Sequence, residues 1–232
     1  MRLSTIKEFN KSRIPQQTYF KFMRYLSFPL VWVLQFTPIT PNMVSVGCHL
    51  FTILASFLFV YNSIEFNLIA LLCLHLAVLC DFVDGSLARA VNRTSKFIAH
   101  YADRIFHEGT TALIFIGIGY GTGYIVCGFI AALGLVSGSY IFQLRNWLLS
   151  RYGDTQVTEY DFEDTMIEGK MEKILLKGYY TPMKYFRFVL LIFILIQKLD
   201  IFIIVYSIFL PLRMIGGAMF FYLKFWRMDH VR

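Results

Sequence analysis

Several apolar runs in this chain approach or exceed the roughly 18–20 residues that carry one helix across a bilayer. Inside hydrocarbon each backbone N–H and C=O needs an internal partner, which a helix supplies. The 232 residues are 57% hydrophobic and 18% aromatic, and the mean hydropathy is +0.57. A soluble domain of this size does not need so much apolar sequence to build its core. The sequence therefore predicts an all-α integral membrane protein. Arg2 and Lys7 follow Met1 without a short apolar run and cleavage site, which argues against a removed signal peptide. Cys48, Cys73, Cys80 and Cys127 all fall inside apolar runs with no paired metal-ligand spacing, and read as buried apolar residues.

The chain reads as one membrane domain with six transmembrane helices and an N-terminal interfacial amphipathic helix. Residues 1–38 form the surface segment and its helix, an apolar stretch over 19–36 that carries Lys21 and Arg24 near its start and reads as interfacial, with a membrane span as the open alternative. Residues 39–149 hold the first four spans, 40–61, 66–90, 95–120 and 123–149. The first opens at Thr40-Pro41, a threonine cap before a first-turn proline. Residues 150–179 are a polar loop of mixed charge, and 180–232 hold spans five and six, 180–197 and 201–225. Gly134, Gly138, Gly216 and Gly217 are places for close helix packing.

Lysine and arginine sit almost wholly on one side of this layout; the other side has Lys198. The basic side is expected to be cytoplasmic, with both termini there. The net charge of +7 then reflects apposition to a membrane surface and not nucleic-acid binding. The cell inner (cytoplasmic) membrane is the expected location.

One cluster of polar residues interrupts the apolar pattern. Asp81 and Asp84 are three apart, on one helical face, and Gly85 follows without a side chain. Past the polar break at Asn92–Ser95, His100, Asp103 and His107 share a second face. A hairpin brings both faces to a similar depth near the cytoplasmic surface. Converging carboxylates repel one another unless a cation joins them, and a charge in hydrocarbon costs several kcal/mol when it is neither paired nor wetted. One structural ion pair, such as Asp103 with Arg89, is the plainer account, but it leaves too much charge over. Hard oxygen donors suit Mg²⁺ or Mn²⁺. An ion held at this boundary is placed to grip a diphosphate whose lipid part lies in the bilayer.

Asp81-x-x-Asp84-Gly85-x-x-Ala88-Arg89, with Asp103 downstream, resembles the signature of the CDP-alcohol phosphotransferases (CDP-alcohol phosphatidyltransferases). Thr40-Pro41-Asn42 and the six-span layout are similar to that family as well. The resemblance implies transfer of a substituted phosphate from a CDP-linked donor, foremost CDP-diacylglycerol, to an acceptor alcohol, with release of CMP. It implies two divalent ions, Mg²⁺ or Mn²⁺, a homodimer, and a role in phospholipid or related glycolipid synthesis. Carried over residue by residue, it makes Asp81, Asp84 and Asp103 metal ligands and assigns Asn42, Gly85, Ala88 and Arg89 to the nucleotide or donor, with membrane topology an equal account of Arg89.

The second half of the motif departs from the family pattern in three ways: the interval from Arg89 to Ala99 is one residue longer than usual, and two positions differ. Ala99 stands where the family has glycine, and His107 stands at the fourth aspartate, the ligand and base. Three readings of His107 stay open: base or metal ligand, packing residue in a degenerate enzyme, or bystander to a register that uses Glu108. Arg145 and Arg213, both in apolar helices, are candidate acceptor-binding residues, with helix-end snorkelling and an interhelical pair as their structural alternatives. His100 is a further acceptor-side candidate, and His49 and His75 read as packing residues. A UbiA-like membrane prenyltransferase and a divalent-ion or proton-coupled transporter are the competing classes. The first lacks the Gly-x-x-Ala-Arg pattern; the second spreads its polar residues more widely in depth.

An imidazole is a competent general base near neutral pH. His107→Ala is expected to abolish transfer and His107→Asp to retain part of it, with Mn²⁺ supporting more activity than Mg²⁺. A fully active alanine variant in a CMP-release assay removes His107 from the chemistry.

Overall fold

The computed structural model describes residues 18–91, 98–152 and 185–230. Among them the secondary structure is helical: α1 Thr18–Leu34, α2 Pro41–Val60, α3 Ile64–Ala90, α4 Ile98–Thr122, α5 Ile125–Tyr152, α6 Phe186–Leu195 and α7 Leu199–His230. Internal contacts divide the chain into two units, Met1–Gly117 and Ile118–Arg232.

The expected start of the first span is met. Thr40 caps α2, its side chain accepting from the Met43 amide, and Pro41 occupies the first turn, where an amide proton is not needed. Ser63 caps α3 in the same way, through the Phe66 amide. The short link between them contains Asn62 in the left-handed region, at φ 48°. Helix α3 runs to Ala90, where the sequence placed its end.

Among the described residues, four helices are long and apolar enough to cross a membrane: Pro41–Val60, Ile64–Ala90, Ile125–Arg145 and Leu199–Leu223. Helix α4 has the length, at 25 residues, but its first half carries Asp103, Arg104, His107 and Glu108. Helix α6 has 10 described residues. The remainder of the fifth expected span, 180–184, and the loop 153–179 lie outside the described residues.

In the first unit, α2 packs along α3. One face of α2 buries Cys48, Thr52, Ala55 and Phe59. Its opposite face exposes Met43, Val46, Leu50, Leu54, Phe57 and Tyr61, an apolar stripe that suits lipid and not water. Helix α1 lies on the second half of α3, where Phe28 and Val31 meet Val83 and Leu87. The hydrophobic effect gives little reason for apolar helices to associate in lipid; close packing and hydrogen bonds do. At Gly117 of α4, a Cβ would collide with the backbone carbonyl of Ser56 on α2, and Ser56 Oγ donates to the Leu113 carbonyl at 2.6 Å.

In the second unit, α5 and α7 are the main pair, and α6 packs on α7. A Cβ on Gly134 would lie 2.7 Å from the Pro211 nitrogen and 2.9 Å from the Leu210 carbonyl carbon. The close approach expected at Gly134 is therefore present. Gly216 differs: its Cβ would meet nothing within 4 Å among the described residues.

Overpacking a fitted contact typically costs about 1–3 kcal/mol. Gly134→Val is expected to lower the thermal midpoint of the detergent-solubilised protein by several degrees, while Gly216→Ala leaves it within about one degree of wild type. Equal midpoints for the two variants contradict the assigned α5–α7 contact.

Candidate active site

The site is built on the last two turns of α3. Asp81 is exposed and Asp84 half-buried, one turn apart on the same side of the helix. Gly85 and Ala88 complete that side. Arg89 folds back over it: a Cβ added to Gly85 would lie 3.5 Å from Arg89 Nη1. The glycine thus leaves room for a guanidinium next to the acidic pair.

Two neighbouring helices hold these turns from either side. From α2, Ser45 Oγ donates to Asp84 Oδ2 at 2.5 Å. The same hydroxyl lies 3.2 Å from the Pro41 carbonyl. With one proton to give, its shorter bond is to the carboxylate, where the negative charge strengthens it. From α1, Arg24 Nη1 donates to Ser86 Oγ at 2.8 Å and to the Phe82 carbonyl at 3.3 Å. The Arg24 guanidinium carbon also stands 4.6 Å from the centre of the Phe82 ring. Arg89 Nη2 donates to the same Ser86 Oγ at 3.3 Å. Ser86 is fully buried, so its oxygen depends on these partners.

The other residues expected from sequence fall as follows. Asn42 is exposed in the first turn of α2, three residues before Ser45. His107 is exposed on α4, and its carbonyl accepts from Thr110 Oγ1 and Thr111 Oγ1. The backbone of α4 carries His100 and Asp103, whose side chains lie outside the described residues. Among the described residues no three His, Cys, Asp or Glu side chains group as a metal site. In the second unit Arg145 is buried, 2% exposed, with its guanidinium carbon 5.0 Å from the centre of the Phe221 ring. Arg213 is half-buried on α7.

Sequence reasoning passed over Arg24, Ser45 and Ser86. Ser45 had one local signal, its place one turn after Pro41 on the route to the acids. Arg24 had another, as one of two cations, with Lys21, in a mostly apolar helix.

Two carboxylates one turn apart supply hard oxygen donors of the kind Mg²⁺ and Mn²⁺ prefer. Gly85 and Ala88 keep the adjoining surface low, and Arg89 adds a cation beside it. Such a surface can bind a metal-associated phosphate or diphosphate.

A family model described as CDP-alcohol phosphatidyltransferase matches residues 38–222, which takes in α2, α3 and the motif. A search of curated proteins finds no match.

Ser45→Ala removes the donor to Asp84 and leaves the carboxylate in place. The divalent-ion concentration giving half-maximal CMP release is expected to rise about tenfold, and Ser45→Thr to restore it. Unchanged metal dependence in the alanine variant rules out this role for Ser45.

Proposed function

This chain belongs to the CDP-alcohol phosphatidyltransferase family, and we propose that its donor is CDP-diacylglycerol, with divalent ions bound at Asp81, Asp84 and Asp103. Enzymes of this family are phosphotransferases, and they transfer a phosphate-linked alcohol group from a CDP-alcohol to an acceptor. The observation that carries the finer reading is the pairing of Asp81 and Asp84 beside Gly85, at the end of a long apolar helix. A lipid-anchored diphosphate has its acyl chains in the bilayer and its charge at the boundary, and a carboxylate pair at the end of an apolar helix supports binding there.

In this reading the acceptor hydroxyl attacks the phosphorus next to the lipid. An O–P bond forms, the P–O bond to cytidylate breaks, and CMP leaves. His107 takes the hydroxyl proton at a ring nitrogen. Arg89, lying over Gly85, meets a phosphate oxygen of the donor. When bound, the divalent ions neutralise the diphosphate and stabilise the charge on the departing cytidylate. Asn42, at the start of α2, contacts the nucleotide. Arg145 and Arg213 recognise an anionic acceptor such as a sugar phosphate or glycerol phosphate. Arg145 is the stronger of the two, because its burial keeps solvent from competing for the guanidinium.

The topology proposed with it has six spans. Helix α4 crosses with its charged first half at the site, and α6 belongs to the fifth span. Helix α1 lies at the cytoplasmic interface. The one-sided distribution of basic residues supports an orientation with the site on the cytoplasmic side of the inner membrane.

The test is release of labelled CMP from CDP-diacylglycerol, offered with a panel of acceptors: glycerol phosphate, inositol phosphate, serine and a free sugar alcohol. Release is expected with one phosphorylated acceptor and a divalent ion, and a drop of at least about a hundredfold in Asp81→Asn and Asp84→Asn. Full activity in either variant, or release only from a CDP-linked headgroup, overturns the proposed site or the proposed donor respectively.

A further inference from the structure

The motif side of α3 is flanked by two guanidinium groups bonded to one oxygen. Ser86 Oγ accepts from Arg24 at 2.8 Å and from Arg89 at 3.3 Å. A hydroxyl oxygen has two acceptor sites, so both are engaged. Arg24 is anchored at two further points, the Phe82 carbonyl at 3.3 Å and the Phe82 ring at 4.6 Å. Helix α1 is itself fixed to α3 through Phe28 and Val31 against Val83 and Leu87. The Arg89 guanidinium lies over Gly85, with Nη1 3.5 Å and Nη2 3.9 Å from where a Cβ would stand.

Like charges on a shared oxygen repel. With Arg24 fixed on the α1 side of Ser86, the repulsion acts on Arg89 in one direction, towards Gly85 and the aspartates. Ser86, fully buried, transmits the restraint because it has no solvent to turn to. The local order on α3 supports this. Phe82 and Ser86 lie on the α1 side, Asp81, Gly85 and Ala88 on the motif side, and Arg89 between them.

We propose that Arg24 is a positioning residue for the donor phosphate: through Ser86 it holds the Arg89 guanidinium over Gly85, ready to meet a diphosphate oxygen. This rests on the function proposed above, and it adds a contribution from the N-terminal helix, which lies outside the matched residues 38–222. The charge of Arg24 matters as well as its hydrogen bonds. Lysine in its place keeps the repulsion but reaches fewer of the three contacts.

The experiment measures CDP binding by calorimetry on the full-length protein in detergent with Ca²⁺, so that no turnover is needed, beside steady-state CMP release with Mn²⁺. Arg24→Gln is expected to weaken CDP binding and to raise the donor KM about tenfold, with kcat reduced less than threefold. Arg24→Lys recovers part of the binding. Ser86→Ala gives a loss of the same size, and the Arg24→Gln/Ser86→Ala double variant loses no more than either single one. In an Arg89→Gln background, Arg24→Gln has no further effect. Wild-type CDP affinity in Arg24→Gln, additive losses in the double variant, or a fall confined to kcat each overturns the positioning role while leaving the proposed function standing. Wild-type protein that neither binds CDP with a divalent ion nor releases CMP overturns both.

Discussion

A carboxylate at the edge of an apolar layer persists only where something donates to it or shares its charge. In this protein that requirement falls on Asp84, half-buried on α3, and Ser45 of α2 meets part of it. The bond links residues 39 positions apart and joins the two most closely packed helices of the first unit. Folding and the proposed metal site are therefore coupled at one point. The packing that buries Cys48, Thr52 and Ala55 on α2 also brings Ser45 to the acid.

The same logic applies on the other side of α3. A guanidinium within apolar surroundings needs acceptors, and Arg24 finds a hydroxyl, a carbonyl and a ring face, all on one turn. Two helices with little else in common thus converge on the segment from Asp81 to Arg89, each through one polar side chain. In lipid, where apolar contact alone discriminates poorly between neighbours, such bonds fix which faces meet.

Much of this was legible in the sequence. The start of α2 follows from Thr40 and Pro41, and the end of α3 from the polar break after it, because capping chemistry is local. The shared side of Asp81, Asp84 and Gly85 follows from helical periodicity alone. The partners of those residues do not. A serine in an apolar helix usually bonds a carbonyl one turn back, and Ser45 has that option too, so nothing nearby in sequence marks it for Asp84. Arg24 meets Ser86 across 62 positions, a pairing set by how α1 lies on α3. Helix α4 illustrates the opposite problem: its length is that of a span, but charges in its first half take it out of the group defined by apolarity. His100 and Asp103 were legible as a polar face, while their side chains fall outside the described residues.

Pro211 gives α7 a further property. It has no amide proton, so the Ser207 carbonyl one turn earlier goes without its usual backbone donor. Gly134 touches α7 at that residue. The helix is thus gripped where its own ladder is one hydrogen bond short, so the contact with α5 supports the turn that the proline leaves weakest.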